Sequence, residues 1–152
     1  MTAPGGIRSI VSFKEELVSV KIPAEVQTFF TGKEGWVATS SKDGVPNVSI
    51  KGSMRVLDDE HLIFADLASL KTRKNLQENA RVAVMVYDPA ARKGYMVRGT
   101  TEQLTSGPLY DKVVEGMRKA MPQLPSPKYV VRVTAESVWD QSAGPGGGKQ
   151  LA

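Results

Sequence analysis

The stretch from Phe64 to Asn75 carries the residue types best suited to hold an anion. An apolar run is followed by polar and basic residues: Ser69, Lys71, Thr72, Arg73 and Lys74. The first turn of a helix exposes unpaired N–H groups and partial positive charge, so cations there oppose the helix dipole. A phosphate resolves that conflict, because it accepts from the N–H groups and pairs with ammonium. The stretch therefore predicts either a phosphate site or a basic, solvated helix start.

A second polar stretch lies just upstream, between residues 47 and 53. Period-two alternation places four polar side chains on one strand face: Asn47, Ser49, Lys51 and Ser53. The same alternation sends Val48 and Ile50 to the opposite face, which we expect to be the core side. The polar face is then either the wet side of a half-exposed sheet or a donor-rich wall against the polar edge of a ring-shaped ligand.

Composition excludes several other kinds of site. The 152-residue chain has no cysteine and one histidine, so disulfides, thiolate sites and multi-histidine metal sites are ruled out, and we assign no metal ligand. The formal charge of +4 favours a phosphorylated ligand but is too small to indicate nucleic acid by itself. No apolar run is long enough to cross a membrane and residues 7–13 lack a signal-peptide core, so we expect a cytoplasmic location.

The elements that must position these residues are mostly strands. We predict a single domain over residues 1–152, with a flexible start (1–6) and a glycine-rich tail (142–152) that is flexible over 142–148. Helices are predicted at 24–30, 69–79 and 109–121. Strands are predicted at 36–41, 45–51, 53–57, 61–65, 81–87, 95–104 and 129–138, the second and third being either two strands or one strand bent at Gly52. The tight connections, including Asp43-Gly44, favour a mainly β, antiparallel, Greek-key-like barrel of six or seven strands.

The strand at 81–87 is apolar on both faces. Val82, Val84 and Val86 share one side, and alanine, methionine and tyrosine share the other. A strand that is apolar on both faces must be packed against other elements on both faces. We therefore expect a partner subunit to supply the second cover.

Several segments together resemble the pyridoxamine 5′-phosphate oxidase-related family of FMN-binding split barrels, in particular its small flavin-nucleotide-binding branch. The likeness covers residues 24–150 and depends on the order and spacing of its pieces. These are WVATSSKDGVPNVS (36–49), MRVLDD (54–59), IFAD (63–66), SLKTRKNL (69–76), ENARV (78–82), YMVRGT (95–100) and VTAESVWDQS (133–142).

The resemblance implies a homodimer of split β-barrels with one FMN in each of two interface clefts. It assigns the phosphate to Ser69, Lys71 and Thr72. The strand with Asn47, Val48, Ser49 and Lys51 would line the isoalloxazine ring, where Lys51 would stabilise negative charge on the reduced flavin. Ala65 and Asp66 would lie near the ribityl chain, and Trp139 would approach the ring from the partner subunit.

The resemblance leaves the reaction open. The oxidase has a further C-terminal segment that grips pyridoxal phosphate, and this chain has a glycine-rich tail instead, so we do not expect pyridoxamine oxidation. The first hypothesis is an FMN-dependent oxidoreductase of unknown substrate, with no catalytic residue assigned. The alternative is a non-catalytic electron-transfer or flavin-storage protein. More remote alternatives are a deazaflavin-dependent reductase, a haem protein and an oligonucleotide-binding barrel. An oligonucleotide-binding barrel would need aromatic residues that the strand at 47–54 lacks.

Overall fold

The computed structural model describes residues 18–152 and is built on one seven-stranded sheet in which every pairing is antiparallel. The strands are β1 (Gly35–Ser40), β2 (Pro46–Lys51), β3 (Arg55–Asp58), β4 (His61–Asp66), β5 (Arg81–Asp88), β6 (Lys93–Leu104) and β7 (Tyr129–Asp140). Their order across the sheet is β2-β1-β5-β6-β7-β4-β3. The sheet curls into a half-barrel, which confirms the mainly β, split-barrel prediction. The predicted flexible start, residues 1–6, lies outside the described residues.

Three helices accompany the sheet: α1 (Ala24–Phe30), α2 (Leu70–Glu78) and α3 (Pro108–Ala120). Each lies within one residue of its predicted bounds. Pro23 precedes α1 and Pro108 opens α3, as expected of a residue that lacks the N–H a first turn leaves unpaired. Within residues 18–152, no helix combines the length and apolarity needed to span a membrane.

The inner face of the sheet encloses the main core. On β5, Val82, Val84 and Val86 are buried there, as the alternation predicts. The opposite side of β5 is only partly covered, and Tyr87 is 39% exposed. A smaller apolar cluster joins α3 to the other side of β4 and β7, centred on Val113 and Val130.

On β2 the buried and exposed faces are reversed from expectation. Val48 and Ile50 are 58% and 50% exposed, so the prediction that they face the core is wrong. The polar residues of the strand face inward instead, and Lys51 is only 6% exposed. The reason is the cover: α2 packs against the inner side of β2 and offers polar partners there, described below.

A β-bulge interrupts the pairing of β6 with β7. Arg98 pairs with Ser137 and Gly99 pairs with Ala135, so Glu136 is an extra residue on β7. At Gly99 the backbones approach so closely that a Cβ would lie 2.0 Å from the carbonyl oxygen of Thr134. Only glycine fits this position without a backbone shift.

The glycine-rich tail folds back along β7. The N–H of Leu151 donates to the Val138 carbonyl at 2.7 Å, and the N–H of Val138 donates to the Ala152 carbonyl at 2.9 Å. The N–H of Asp140 also donates to the Lys149 carbonyl at 2.8 Å. The last two residues pack against the main core.

Candidate functional site

The predicted site residues of β2, β4 and α2 lie together where the end of β4 meets the start of α2. The group comprises Asn47, Ser49, Lys51, Ala65, Asp66, Ser69 and Thr72. We call its β2 part, formed by Asn47, Ser49 and Lys51, the polar wall.

Thr72 fixes α2 to the polar wall. Its side chain is buried, at 1% exposure. Its Oγ1 accepts from Asn47 Nδ2 at 3.3 Å and shares a 2.9 Å hydrogen bond with the Ser49 hydroxyl. These contacts hold against the polar wall the hydroxyl that the resemblance assigns to the phosphate, and the backbone N–H of Thr72 is a second donor for an anion.

Asp66 is the centre of a buried charge cluster. Its carboxylate, 1% exposed, accepts from the Ser69 N–H and from Arg73 Nε, each at 2.9 Å, and Lys51 Nζ lies 3.8 Å away. Asp66 therefore caps the start of α2, while the Ser69 hydroxyl makes no capping bond and accepts from Lys51 instead. A carboxylate at a helix N-terminus is favoured by the dipole, which offsets the cations that follow.

Lys51 is held as a desolvated cation. Burial lowers the pKa of its ammonium group from the usual 10.5, the Asp66 carboxylate opposes this shift, and the nearby Arg73 guanidinium adds to it. The ammonium also lies 5.8 Å from the centre of the Phe64 ring. Lys51 thus presents positive charge in a low-dielectric setting, where it interacts strongly with any approaching negative charge.

The first turn of α2 retains open donors. Across residues 18–152, the N–H groups of Lys71 and Thr72 have no hydrogen-bond acceptor. The side chain of Lys71 is exposed beside them. Nη2 of Arg73 is buried and likewise has no acceptor in the described part of the chain.

Two predicted site residues lie elsewhere. The side chain of Val48 points away from the polar wall, and only its backbone follows that strand. Trp139 lies on β7, separated from β2 by three strands. Its Nε1 donates to Ser137 Oγ at 2.8 Å, and the Arg98 guanidinium lies 5.1 Å from its ring centre.

Val48 and Trp139 both lie on the outer face of the sheet, which also carries a row of apolar residues that includes Trp139. The strand registers align five residues across five strands: Ile50, Trp36, Met85, Met96 and Trp139. We call this set the outer row. Trp36 is 48% exposed, unusually open for so large an apolar side chain.

Sequence reasoning missed two contributors. Arg73 was grouped with the cations of α2, but its contact with Asp66 makes it part of the buried cluster. Ser53 Oγ accepts from the Ala65 N–H at 2.9 Å and closes the seam between the end of β2 and β4. Neither contact has a local sequence signal, since each joins residues from separate elements.

Comparison with known proteins agrees with this architecture. An uncharacterized protein of Methanocaldococcus jannaschii is 33% identical over 135 residues, covering 88% of this chain and 89% of that protein. HupZ of Group A Streptococcus has a similar structure, with a TM-score of 0.74 and 27% identity over 84% of this chain and 99% of HupZ. An FMN-binding protein of Syntrophomonas wolfei shares the fold, with a TM-score of 0.66 and 16% identity over 80% of this chain and 84% of that one.

The sequence profile of the pyridoxamine 5′-phosphate oxidase family matches residues 22–142. That span runs from the residue before Pro23 to the end of the turn after β7, so it includes every strand, the polar wall and the start of α2. The chain belongs to the pyridoxamine 5′-phosphate oxidase family.

Proposed function

We propose that this protein binds FMN and acts as a flavin-dependent oxidoreductase, with each FMN shared between two identical subunits. The observation that carries the proposal is the start of α2, where two N–H groups without an acceptor among residues 18–152 lie beside the exposed Lys71. Family membership supports a flavin as the ligand of this site.

The charge balance at α2 supports a phosphate. Asp66 contributes one negative charge, whereas Lys51, Lys71 and Arg73 contribute three positive charges. Because Asp66 is already paired, it does not repel an incoming anion at full strength. A phosphate would accept from the N–H groups of Lys71 and Thr72 and pair with the Lys71 ammonium.

The polar wall supports a ring beside that phosphate. Bound FMN would supply the hydride chemistry, and the protein would orient it and tune its electrostatics. Lys51 is the residue placed to favour negative charge on the reduced ring, because its ammonium is shielded from water. A cavity of about 420 Å³ next to Lys51 favours an enzyme over a simple carrier, since a substrate needs space beside the flavin.

The outer row supports the homodimer. Half-exposed Trp36 and Ile50 lie on the outer face of β1 and β2, whereas α3 packs on that face of the sheet against β4 and β7. A second copy packed there would bury the row and supply the second cover that β5 needs. We expect Trp139 to reach the flavin of the partner subunit in such a dimer, since it is remote from the polar wall of its own chain.

The test is a visible absorption spectrum of the purified protein followed by fluorescence titration of FMN into the flavin-free form. Lys71→Ala should weaken FMN binding by about 10- to 100-fold, as expected for losing a charge-assisted hydrogen bond. Lys74→Ala is the matched control, because it removes the same charge from an exposed position on the same helix. Equal affinities for Lys71→Ala and the unmodified protein would exclude this phosphate site.

A further inference from the structure

A cavity of about 420 Å³ lies between the end of β2, at Ile50 and Lys51, and the C-terminal end of α3. The end of β2 and the loop after β4 form one side, and Met117, Met121 and Leu124 form the other. The volume falls within the range of small-molecule sites, about 300–1,000 Å³. Lys51 borders both this cavity and the polar wall, so an occupant would lie against the proposed flavin site.

The polar groups at the inner end of the cavity are already satisfied. The Ser53 hydroxyl accepts from the Ala65 N–H, and the Ser69 hydroxyl accepts from Lys51. Lys51 is in turn paired with Asp66. The lining contains no arginine and no other cation among the described residues. Lys51 is therefore the one cation of the described lining, and a second phosphate would have to compete for it with Asp66 and with the proposed flavin.

The remaining lining is apolar and partly open to water. Its members are Ile50, Ala65, Leu67, Ala68, Met117, Met121 and Leu124, with Gly52 contributing backbone. Met121 and Leu124 are each 38% exposed, which leaves apolar surface that an occupant would cover. Methionine side chains adapt to irregular shapes and make favourable contacts with aromatic rings.

We propose that this cavity binds a neutral, apolar, ring-containing small molecule beside FMN, in place of a phosphorylated substrate. The inference rests on the proposed function, because it identifies the cavity as the substrate side of the flavin site. The one cation at the inner end is already shared with Asp66, which disfavours a second anion, and methionine and leucine side chains at the outer end fit a flat apolar body.

The experiment is isothermal titration calorimetry with two probes, menadione as a neutral apolar ring and pyridoxal 5′-phosphate as a phosphorylated ring. Each is titrated into the FMN-loaded and the FMN-free protein. We expect saturable binding of menadione to the FMN-loaded protein without release of flavin. Binding of pyridoxal 5′-phosphate should be at least about tenfold weaker, because its phosphate finds only Lys51, which Asp66 already pairs.

Met121→Lys tests the location. A lysine there would place an unpaired ammonium against the occupant, so menadione binding should weaken at least about tenfold. Ala120→Lys is the matched control, since it adds the same charge at the neighbouring exposed position, which does not line the cavity. FMN affinity, read from flavin fluorescence, should be the same in both variants.

The outcomes separate the inference from the proposed function. Tighter binding of pyridoxal 5′-phosphate than menadione, unchanged menadione binding in Met121→Lys, or displacement of FMN by menadione would each overturn the inference. The inference would also be overturned if menadione bound neither the FMN-loaded nor the FMN-free protein. A protein that binds menadione at Met121 but fails to bind FMN would overturn the proposed function alone.

Discussion

In most strands the inward face is apolar and the outward face is polar, and in β2 this arrangement is reversed. The inward face is polar and is fixed by α2 and the Asp66 cluster, whereas the outward face carries Val48 and Ile50 into solvent. The neighbouring part of the sheet is ordinary on its inner side, since the valines of β5 are buried in the core.

The difference shows that the covering element decides what a strand face must contain. On the inner side, each polar group of β2 has a partner on α2 or at its start, so burial is tolerated. On the outer side, apolar residues lack a cover in the described chain. One face of β2 thus carries polar groups that have partners, and the other carries exposed apolar groups that have no cover in the described chain. This is the pattern expected of a strand with a ligand site on one face and a subunit interface on the other.

Among the substitutions that test this difference between the two faces, we expect the largest loss of stability from one on the inner face. Asp66→Ala would leave Lys51 and Arg73 as buried cations without their shared carboxylate. We expect the free energy of unfolding to fall by about 3–5 kcal/mol, measured by urea denaturation of the flavin-free protein. Val48→Thr on the outer side should change it by no more than about 0.5 kcal/mol. A loss below about 1 kcal/mol in Asp66→Ala would contradict the assigned role of the cluster.

The second largest effect concerns the bulge that sets which residues of β7 face outward. Gly99→Ala would force a methyl group against the Thr134 carbonyl, so we expect a loss of about 3 kcal/mol in unfolding free energy. Gly116→Ala is the matched control, because space around that helical glycine is open. It should raise stability by up to about 1 kcal/mol through helix propensity. Equal effects of the two substitutions would refute the close approach at Gly99.

The outer face can be tested through self-association. Trp36→Lys would place a charge within the outer row, and we expect dimerisation to weaken by about 2 kcal/mol or more, which is about 30-fold. Sedimentation equilibrium at micromolar concentration measures the change. Val45→Lys, at an exposed apolar position in the turn before β2, should leave the dimer unchanged. A monomeric unmodified protein would remove the shared flavin site.

The smallest effect should come from Lys51. Because burial lowers its pKa, the folded protein releases this proton before the unfolded chain does, so unfolding free energy should rise with pH between the lowered pKa and 10.5. Lys51→Met should lose that rise while changing stability near neutral pH by less than about 1 kcal/mol, since relief of desolvation offsets the lost attraction to Asp66. Urea denaturation across this pH range, with Lys74→Met as the control that keeps the rise, measures the effect. Parallel pH profiles for all three proteins would contradict it.

Local patterns were enough to predict most of the fold. The Asp43-Gly44 turn, the alternation of β5 and the proline at the start of α1 each fix an element through short-range physics. Alternation also placed Asn47, Ser49 and Lys51 on one face correctly. It could not say which face is buried, because that is decided by α2, whose Thr72 lies more than 20 residues further along the chain.

The rest of the site depends on pairings between distant elements. Ser69 and Asp66 both precede α2, and only the fold shows that Asp66 caps the helix while Ser69 faces Lys51. The outward position of Trp139 requires the strand register with β6, which no window around residue 139 contains. The pairing of the last residues with β7 likewise has no signal in the glycine-rich sequence that precedes them.

The bulge at Gly99 divides β7 into two segments that can evolve separately. Before it, Val133 and Ala135 face the core; after it, Val138 does, and Trp139 faces outward. Uninterrupted alternation from Ala135 would have turned Trp139 inward. Selection can therefore alter the interior of the barrel through the first segment while the second segment, and the surface that we propose for contact with another subunit, keeps its orientation.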